Sequence, residues 1–365
     1  MTDYSKLAGG NIGSLVPYKP GKPIEELKRE FGLERVIKLA SNENPLGPSP
    51  KVTGALIETL PEISRYPDGD AYMLRQAVSK KLNVPPDQLL FGAGSNEIIE
   101  LLLRTFVKPG EYTVSPSPSF SVYSIISQAM GTRCEWAPTS PTFETDLDRL
   151  IAAVKPGVRV VFLASPNNPT GRYINSNDLK TFMQKVPGDT IIAMDEAYCE
   201  FTDAPDYPET LGWYKEYPNM VLMRTFSKAY GLAGLRIGYC IADKMCCEMM
   251  NRVRQPFNTN MLAQIAAAIA INDEEWLKNV LRNNTEGKKY LYEEFEKLGI
   301  KYIPTQANFI LADVGDGMAV FEKLLQKGVI VRFMGKELPS YIRVSIGTPE
   351  ENKIFLKALK EIIVG

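Results

Sequence analysis

Between residues 88 and 241 short β-rich runs alternate with helical stretches, and several of those runs are apolar from end to end. Wholly apolar strands are buried on both faces, so this alternation specifies a mostly parallel sheet covered by helices above and below. The pattern predicts strands at 88–91, 112–115, 133–137, 159–164, 190–194, 220–224 and 237–241. A helix is expected over 96–107, after a Gly-rich turn and ended by Pro109-Gly110. Beyond Pro256 the character changes. A long helical region at 262–298 leads to a β-rich stretch at 303–312 and a helix at 317–327, then strands at 329–333 and 341–345 and a last helix from Glu350. The expected fold class is α/β, a three-layer, mostly parallel seven-stranded sheet with a smaller α+β domain. The expected division is an N-terminal arm with part of the small domain at 1–44, a large domain at 45–256 and a small C-terminal domain at 257–365. The Pro- and Gly-rich residues up to Pro50 read as an arm and lid rather than a core element.

Composition narrows the function classes. At 365 residues the length suits about two domains, and 44% apolar with 23% charged residues is an ordinary globular balance. A net charge of −1 with no basic stripe argues against nucleic acid or an anionic membrane as partner. The strongly apolar stretch at 262–271 is too short to span a bilayer, and Met1-Thr2-Asp3-Tyr4-Ser5-Lys6 lacks a charged-then-apolar signal pattern, so a cytoplasmic location is expected. Cys134, Cys199, Cys240, Cys246 and Cys247 form no CxxC pair and are odd in number, which points to free thiols. Histidine is absent altogether. That excludes Ser-His-Asp and Cys-His catalysis and every His-ligated metal site, so no metal is expected and proton transfer falls to Lys, Tyr, Asp, Glu or a cofactor.

In open α/β sheets ligands bind at the C-terminal edge of the strands, and four strand ends here carry matching chemistry. The 220–224 strand leads into Thr225-Phe226-Ser227-Lys228-Ala229-Tyr230-Gly231-Leu232-Ala233-Gly234-Leu235-Arg236. A phosphate held by Thr225, Ser227 and Arg236, with an aldehyde facing Lys228, describes pyridoxal phosphate; a lysine considered alone would be a surface charge. Gly92-Ala93-Gly94-Ser95-Asn96-Glu97 opens a helix, where backbone N–H groups bind phosphate, although a Gly-rich turn also serves simply to turn the chain. In Ser165-Pro166-Asn167-Asn168-Pro169 an amide can donate to a ring hydroxyl, or the segment is a Pro-Asn turn. Asp195 ends the apolar run Ile191-Ile192-Ala193-Met194, a costly place for a carboxylate without a partner. A pyridinium N–H is such a partner and keeps the ring an electron sink; a helix N-cap is the alternative. Tyr198 can reach the same ring's phenolic oxygen, or pack.

The order of these pieces resembles that of fold-type I pyridoxal-phosphate aminotransferases. The resemblance implies that Lys228 forms the internal aldimine, that Asp195 pairs with the pyridine nitrogen, and that Asn168 and Tyr198 contact the ring oxygen. Gly94, Ser95, Asn96, Thr225, Ser227 and Arg236 would hold the phosphate. Phe120, in Ser117-Pro118-Ser119-Phe120, would stack on the ring where the family often has a phenol or indole. The likeness runs over nearly the whole chain. Leu39-Ala40-Ser41-Asn42-Glu43-Asn44-Pro45-Leu46-Gly47-Pro48 and Arg65-Tyr66-Pro67-Asp68-Gly69 are similar to signatures of histidinol-phosphate aminotransferases. So are Arg254-Gln255-Pro256-Phe257-Asn258-Thr259-Asn260 and Tyr341-Ile342-Arg343-Val344-Ser345-Ile346-Gly347-Thr348-Pro349.

What this second resemblance implies is a large domain of the pyridoxal-phosphate-dependent transferase type and a ping-pong reaction of histidine biosynthesis. The small-molecule substrates would be imidazole-acetol phosphate with L-glutamate, and L-histidinol phosphate with 2-oxoglutarate. Tyr18, Arg332 and Arg343 match the family's substrate-binding residues, and a guanidinium suits both a carboxylate and a phosphate; an ordinary exposed charge is the alternative for Arg332. Tyr66 would reach the cofactor phosphate of the other subunit in a homodimer with shared sites. Aromatic amino acid aminotransferases and threonine-phosphate decarboxylases share the scaffold, and an apolar pocket discriminates among such substrates only modestly. A ligand-sensing regulator on the same fold would add a DNA-binding module, and the chain has no helix-turn-helix segment or basic run.

Overall fold

The computed structural model describes residues 2–18 and 21–364. Among them, thirteen strands fall into three sheets. In chain order they are β1 (Ile37–Lys38), β2 (Leu89–Gly92), β3 (Tyr112–Ser117), β4 (Cys134–Pro138), β5 (Val158–Ala164), β6 (Ile191–Asp195), β7 (Met220–Thr225), β8 (Gly238–Ile241), β9 (Lys301–Ile303), β10 (Phe309–Asp313), β11 (Val329–Ile330), β12 (Arg332–Phe333) and β13 (Tyr341–Ser345).

The seven strands expected between 88 and 241 form one sheet in the order β2-β8-β7-β6-β5-β3-β4, with ends moved by at most two residues. Only β8 runs antiparallel to its neighbours. Along β5 the side chains alternate between two cores, as the two-residue period of a strand requires: Val160 and Phe162 face one, Val161 and Leu163 the other. Helix Ser95–Phe106 covers the first face with Ile98, Ile99, Leu101, Leu102 and Leu103. The other face is covered by helices Pro50–Thr59, Tyr72–Leu82, Ser176–Lys185 and Met261–Ala270. Register then decides what the sheet presents at its edge. Asp195 lies opposite Ala164 on β5 and Met223 on β7, so β5 and β6 end level while β7 runs on to Thr225.

A second core lies around the four-stranded antiparallel sheet β12-β13-β10-β9 and the short parallel pair β1-β11. Helices Glu274–Lys297, Gly317–Gln326 and Pro349–Ile363 close it. Three sequence expectations need correction here. Residues before Pro50 are not all arm and lid, because helix Ile24–Phe31 buries Leu27, β1 pairs with β11, and Ile37, Leu39 and Ala40 are buried. The 262–298 region is two helices, broken at Asn272-Asp273. The first, Met261–Ala270, packs its small alanine face against Pro50–Thr59 and Tyr72–Leu82, in the core of the seven-stranded sheet rather than with the smaller core. The β-rich stretches at 303–312 and 329–333 are each two strands. The turn around Pro304 separates β9 from β10, and β11 and β12 join different sheets.

One buried ion pair fixes the segment after β6. Glu196, wholly buried, accepts from Arg224 Nε at 2.8 Å and from Thr210 Oγ1 at 2.5 Å, and the Arg224 side chain is only 13% exposed. Arg224→Ala leaves an uncompensated charge in the core. It is expected to cost about 3–5 kcal/mol, read as a lowered urea midpoint; an unchanged midpoint would show that the pair does not hold the β6–β7 edge.

Candidate active site

At the C-terminal ends of β5, β6 and β7 lies a cavity of about 420 Å³, within the usual range for a small-molecule site, roughly 300–1,000 Å³. Ser95, Asn96, Phe120, Asn168, Asp195, Tyr198, Thr225, Ser227, Lys228 and Arg236 all line it. So do Tyr18, Arg332 and Arg343, contributed by the N-terminal segment and by β12 and β13. Gly94 sits behind the wall. At φ 82° it leaves room for the Arg236 guanidinium, whose Nη2 is 2.4 Å from where a Cβ would stand. Tyr66 is elsewhere: it is 80% exposed and stacks on Phe257 at 4.7 Å between ring centroids.

The anion-binding end is built from backbone and side chains together. Helix Ser95–Phe106 starts after Gly94 with no side-chain cap, so its first N–H groups face the cavity end where Thr225, Ser227 and Arg236 converge. Arg236 Nη1 donates to Ser227 Oγ at 3.4 Å. The turn is buttressed from the 254–260 segment, where Asn258 Nδ2 donates to Glu97 Oε2 at 2.8 Å and to the Phe91 carbonyl at 3.1 Å.

Lys228 follows β7 on a turn that only a glycine can close. Gly231 has φ 72°, and an added Cβ would lie 2.4 Å from the Gly47 carbonyl oxygen. Lys228 Nζ donates to the Ser41 carbonyl at 2.9 Å and lies 5.8 Å from the Tyr198 ring centre. Burial, and then the charge of Arg343, lower its pKa to about 8. A substantial neutral fraction near neutrality is what a nucleophilic amine requires.

Asp195 is buried, and burial raises its carboxyl above the usual range while hydrogen bonds oppose that. Tyr123 Oη donates to its Oδ2 at 2.7 Å and the Ala197 N–H to its Oδ1 at 3.2 Å. Tyr123 is a site residue the sequence did not disclose. It stacks on Phe162 at 4.4 Å and meets Phe120 edge-on at 5.6 Å. In Val122-Tyr123-Ser124-Ile125-Ile126 it carries no signal separating it from an ordinary core aromatic.

On the substrate side, Asn168 Oδ1 accepts from Arg343 Nη1, and Arg343 Nη2 donates to the Ala40 carbonyl at 2.7 Å. The Arg343 Nε is buried and has no partner among the described residues. Arg332 faces the Tyr18 ring at 5.6 Å. Burial pushes the Tyr198 phenol up to about 12, and its Oη accepts from Asn42 Nδ2 at 2.9 Å. Asn42 too was visible only as part of a signature, without a role.

These residues fit pyridoxal phosphate. The cavity lining offers donors for a dianion, a buried carboxylate that wants a cation or N–H, an aromatic face and an amine. Comparisons agree. Residues 34–359 match the family model for aminotransferase class I and II. A histidinol-phosphate aminotransferase of Moorella thermoacetica is 46% identical over 357 residues, covering 96% of this chain and 92% of the relative. Another, of Caldicellulosiruptor saccharolyticus, is 44% identical, covering 96% and 99%. Among solved structures, the histidinol-phosphate aminotransferase of Sinorhizobium meliloti in complex with pyridoxal-5'-phosphate aligns at a TM-score of 0.89 with 27% identity, over 97% of each chain.

The lowered pKa of Lys228 has a direct readout. Reductive methylation of this amine in the cofactor-free protein is expected to be half-maximal at pH about 8. Removing the Arg343 charge with Arg343→Gln is expected to move that midpoint upward. A midpoint above pH 10, the ordinary lysine range, would contradict the buried, cation-flanked environment.

Proposed function

This chain belongs to the aminotransferase class I and II family, and on that premise we propose that it exchanges the amino group between L-glutamate and imidazole-acetol phosphate, giving L-histidinol phosphate and 2-oxoglutarate. The observation that carries this reading is one cavity uniting the Lys228 amine, the Asp195 carboxylate, two arginines, Arg332 and Arg343, and a further cluster of anion donors, Thr225, Ser227 and Arg236. Two sets of cationic donors around a reactive amine suit one anionic cofactor and one anionic substrate. Relatives named for histidinol phosphate at 46% and 44% identity support the choice of substrate.

Pyridoxal phosphate, when bound, supplies an aldehyde that captures amines and a ring that accepts the electron pair released at a substrate's Cα. The chain does the rest. Ser95, Asn96, Thr225, Ser227 and Arg236 hold the phosphate, with Gly94 giving the guanidinium its space, and Phe120 offers an aromatic face. Asp195 keeps a proton on the ring nitrogen. Lys228 would provide the amine for covalent attachment and, once released, would take the proton from the substrate's Cα and deliver it to the carbon that had been the cofactor's aldehyde. Arg343 and Arg332, with Tyr18 over the latter, bind the carboxylate of glutamate in one half-reaction and the phosphate of the other substrate in the second. The donor's keto acid leaves before the acceptor enters, as ping-pong exchange requires.

Two broader features belong to the same proposal. Ile57, Ile63, Tyr66, Tyr72 and Met73 are exposed apolar or aromatic side chains, which supports a homodimer in which Tyr66 reaches the partner's cofactor phosphate. Among the described residues no helix is long and apolar enough to cross a membrane. The proposed biosynthetic role is what supports a cytoplasmic location.

Purified protein given L-histidinol phosphate and 2-oxoglutarate is expected to form glutamate, and Lys228→Ala to abolish both that turnover and the yellow colour of the bound cofactor. No glutamate from the unaltered protein would reject the assignment. A higher kcat/KM for phenylalanine would favour the aromatic enzyme, and carbon dioxide from threonine phosphate the decarboxylase. Sedimentation is expected to show a dimer, with Tyr66→Phe weakening cofactor retention. A monomer with full retention would remove the shared-site arrangement.

A further inference from the structure

Asn42 is buried on the cavity wall with its backbone in the left-handed region at φ 54°, a conformation that Asn and Asp adopt more readily than most residues. All its polar groups are engaged. Its N–H donates to Ser345 Oγ at 2.9 Å, and its C=O accepts from Asn308 Nδ2 at 3.0 Å. Its Oδ1 accepts from the Ser345 hydroxyl at 3.1 Å, and its Nδ2 donates to Tyr198 Oη at 2.9 Å. These bonds have a direction. The backbone N–H can only donate to Ser345 Oγ, which leaves the Ser345 proton for Asn42 Oδ1. Turning the amide over would deprive that buried hydroxyl proton of the acceptor it now has, which is unfavourable. With Oδ1 committed to Ser345, the donor edge of the amide faces Tyr198. A phenol oxygen that receives a hydrogen bond in this way keeps its own proton for another acceptor, and Tyr198 opens onto the cavity.

We propose that Asn42, locked by Ser345, is a positioning residue that sets Tyr198 as a hydrogen-bond donor into the cavity. The inference rests on the reading of this cavity as a pyridoxal-phosphate site, where the acceptor is the phenolic oxygen of the ring. The relay also crosses the molecule. Ser345 is on β13 of the four-stranded sheet, Tyr198 follows β6 of the seven-stranded sheet, and Asn42 belongs to the N-terminal segment between them. Placement of the smaller sheet therefore decides which way a proton points at the reacting centre.

The test is the pH titration of the bound cofactor's absorbance, which reports proton affinity rather than turnover. A donor at the phenolic oxygen favours its anion, so withdrawing the donor lets the bound cofactor hold its proton to higher pH. Asn42→Asp preserves size and suits the left-handed backbone, but its carboxylate has no N–H to offer Tyr198 and accepts the Tyr198 proton instead of leaving it free. The midpoint is expected to rise by about one pH unit, the scale of one hydrogen bond to a charged group. Tyr198→Phe is expected to move it in the same direction, and the double variant no further than Tyr198→Phe alone. An Asn42→Asp midpoint equal to that of the unaltered protein, or full additivity with Tyr198→Phe, overturns the proposal. If Asn42→Asp does not fold, Asn42→Gly takes its place: it tolerates the backbone and removes the donor, and an unchanged midpoint overturns the proposal equally. Failure of the unaltered protein to attach the cofactor at Lys228 would instead reject the cofactor reading, so the two failures are distinguishable.

Discussion

A carboxylate buried at the end of an apolar strand is the constraint around which this molecule is arranged. Asp195 closes β6 between two parallel neighbours and is shielded from water, a position that disfavours its charge. Hydrogen bonds from Tyr123 and the Ala197 N–H offset part of that cost. The remainder calls for a cationic or N–H partner within the cavity, a role that the proposed cofactor's protonated ring nitrogen would fill. Because β5, β6 and β7 run parallel and end on the same edge of the sheet, the residues following each strand converge on one cavity. Asn168, Tyr198 and Lys228 are thereby brought together although they are far apart in the chain.

Positive charge does two things at once in this site. Arg343 and Arg236 suit anionic groups, and their fields also help to lower the pKa of Lys228, after burial has done most of it. One set of side chains thus offers anions their partners and keeps the amine partly neutral. The opposing charge of Glu43 limits the shift. No imidazole is required anywhere in this scheme, which accords with a chain that contains none.

Several contacts join the two cores, some of them within the site and others outside it. Arg343 on β13 reaches Asn168 beyond β5, Asn42 joins Ser345 to Tyr198, and Lys288 meets Asp203 at 3.0 Å. Relative placement of the smaller sheet therefore bears on the chemistry directly.

Local pattern alone specified a good deal. The seven strands of the main sheet could be placed because each is a short apolar run bounded by turns, and periodicity and turn chemistry act over a few residues. Lys228, Asp195 and Asn168 could be singled out because polar groups directly after buried strands are conspicuous. Tyr123 and Asn42 could not be given roles, since a tyrosine in an apolar helix and an asparagine in a loop acquire meaning only from partners distant in sequence. Nor did the sequence reveal that helix Met261–Ala270 packs with the larger core, that residues 24–40 complete the smaller one, or that Ala164 and Asp195 end their strands in register. Those outcomes were decided by packing and register in three dimensions. Asn42 and Ser345 are 303 residues apart, and their hydrogen bonds exist only because two sheets have folded and docked. Short-range patterning follows from covalent neighbours, whereas the direction of a buried proton depends on which distant groups the folded chain brings within 3.1 Å.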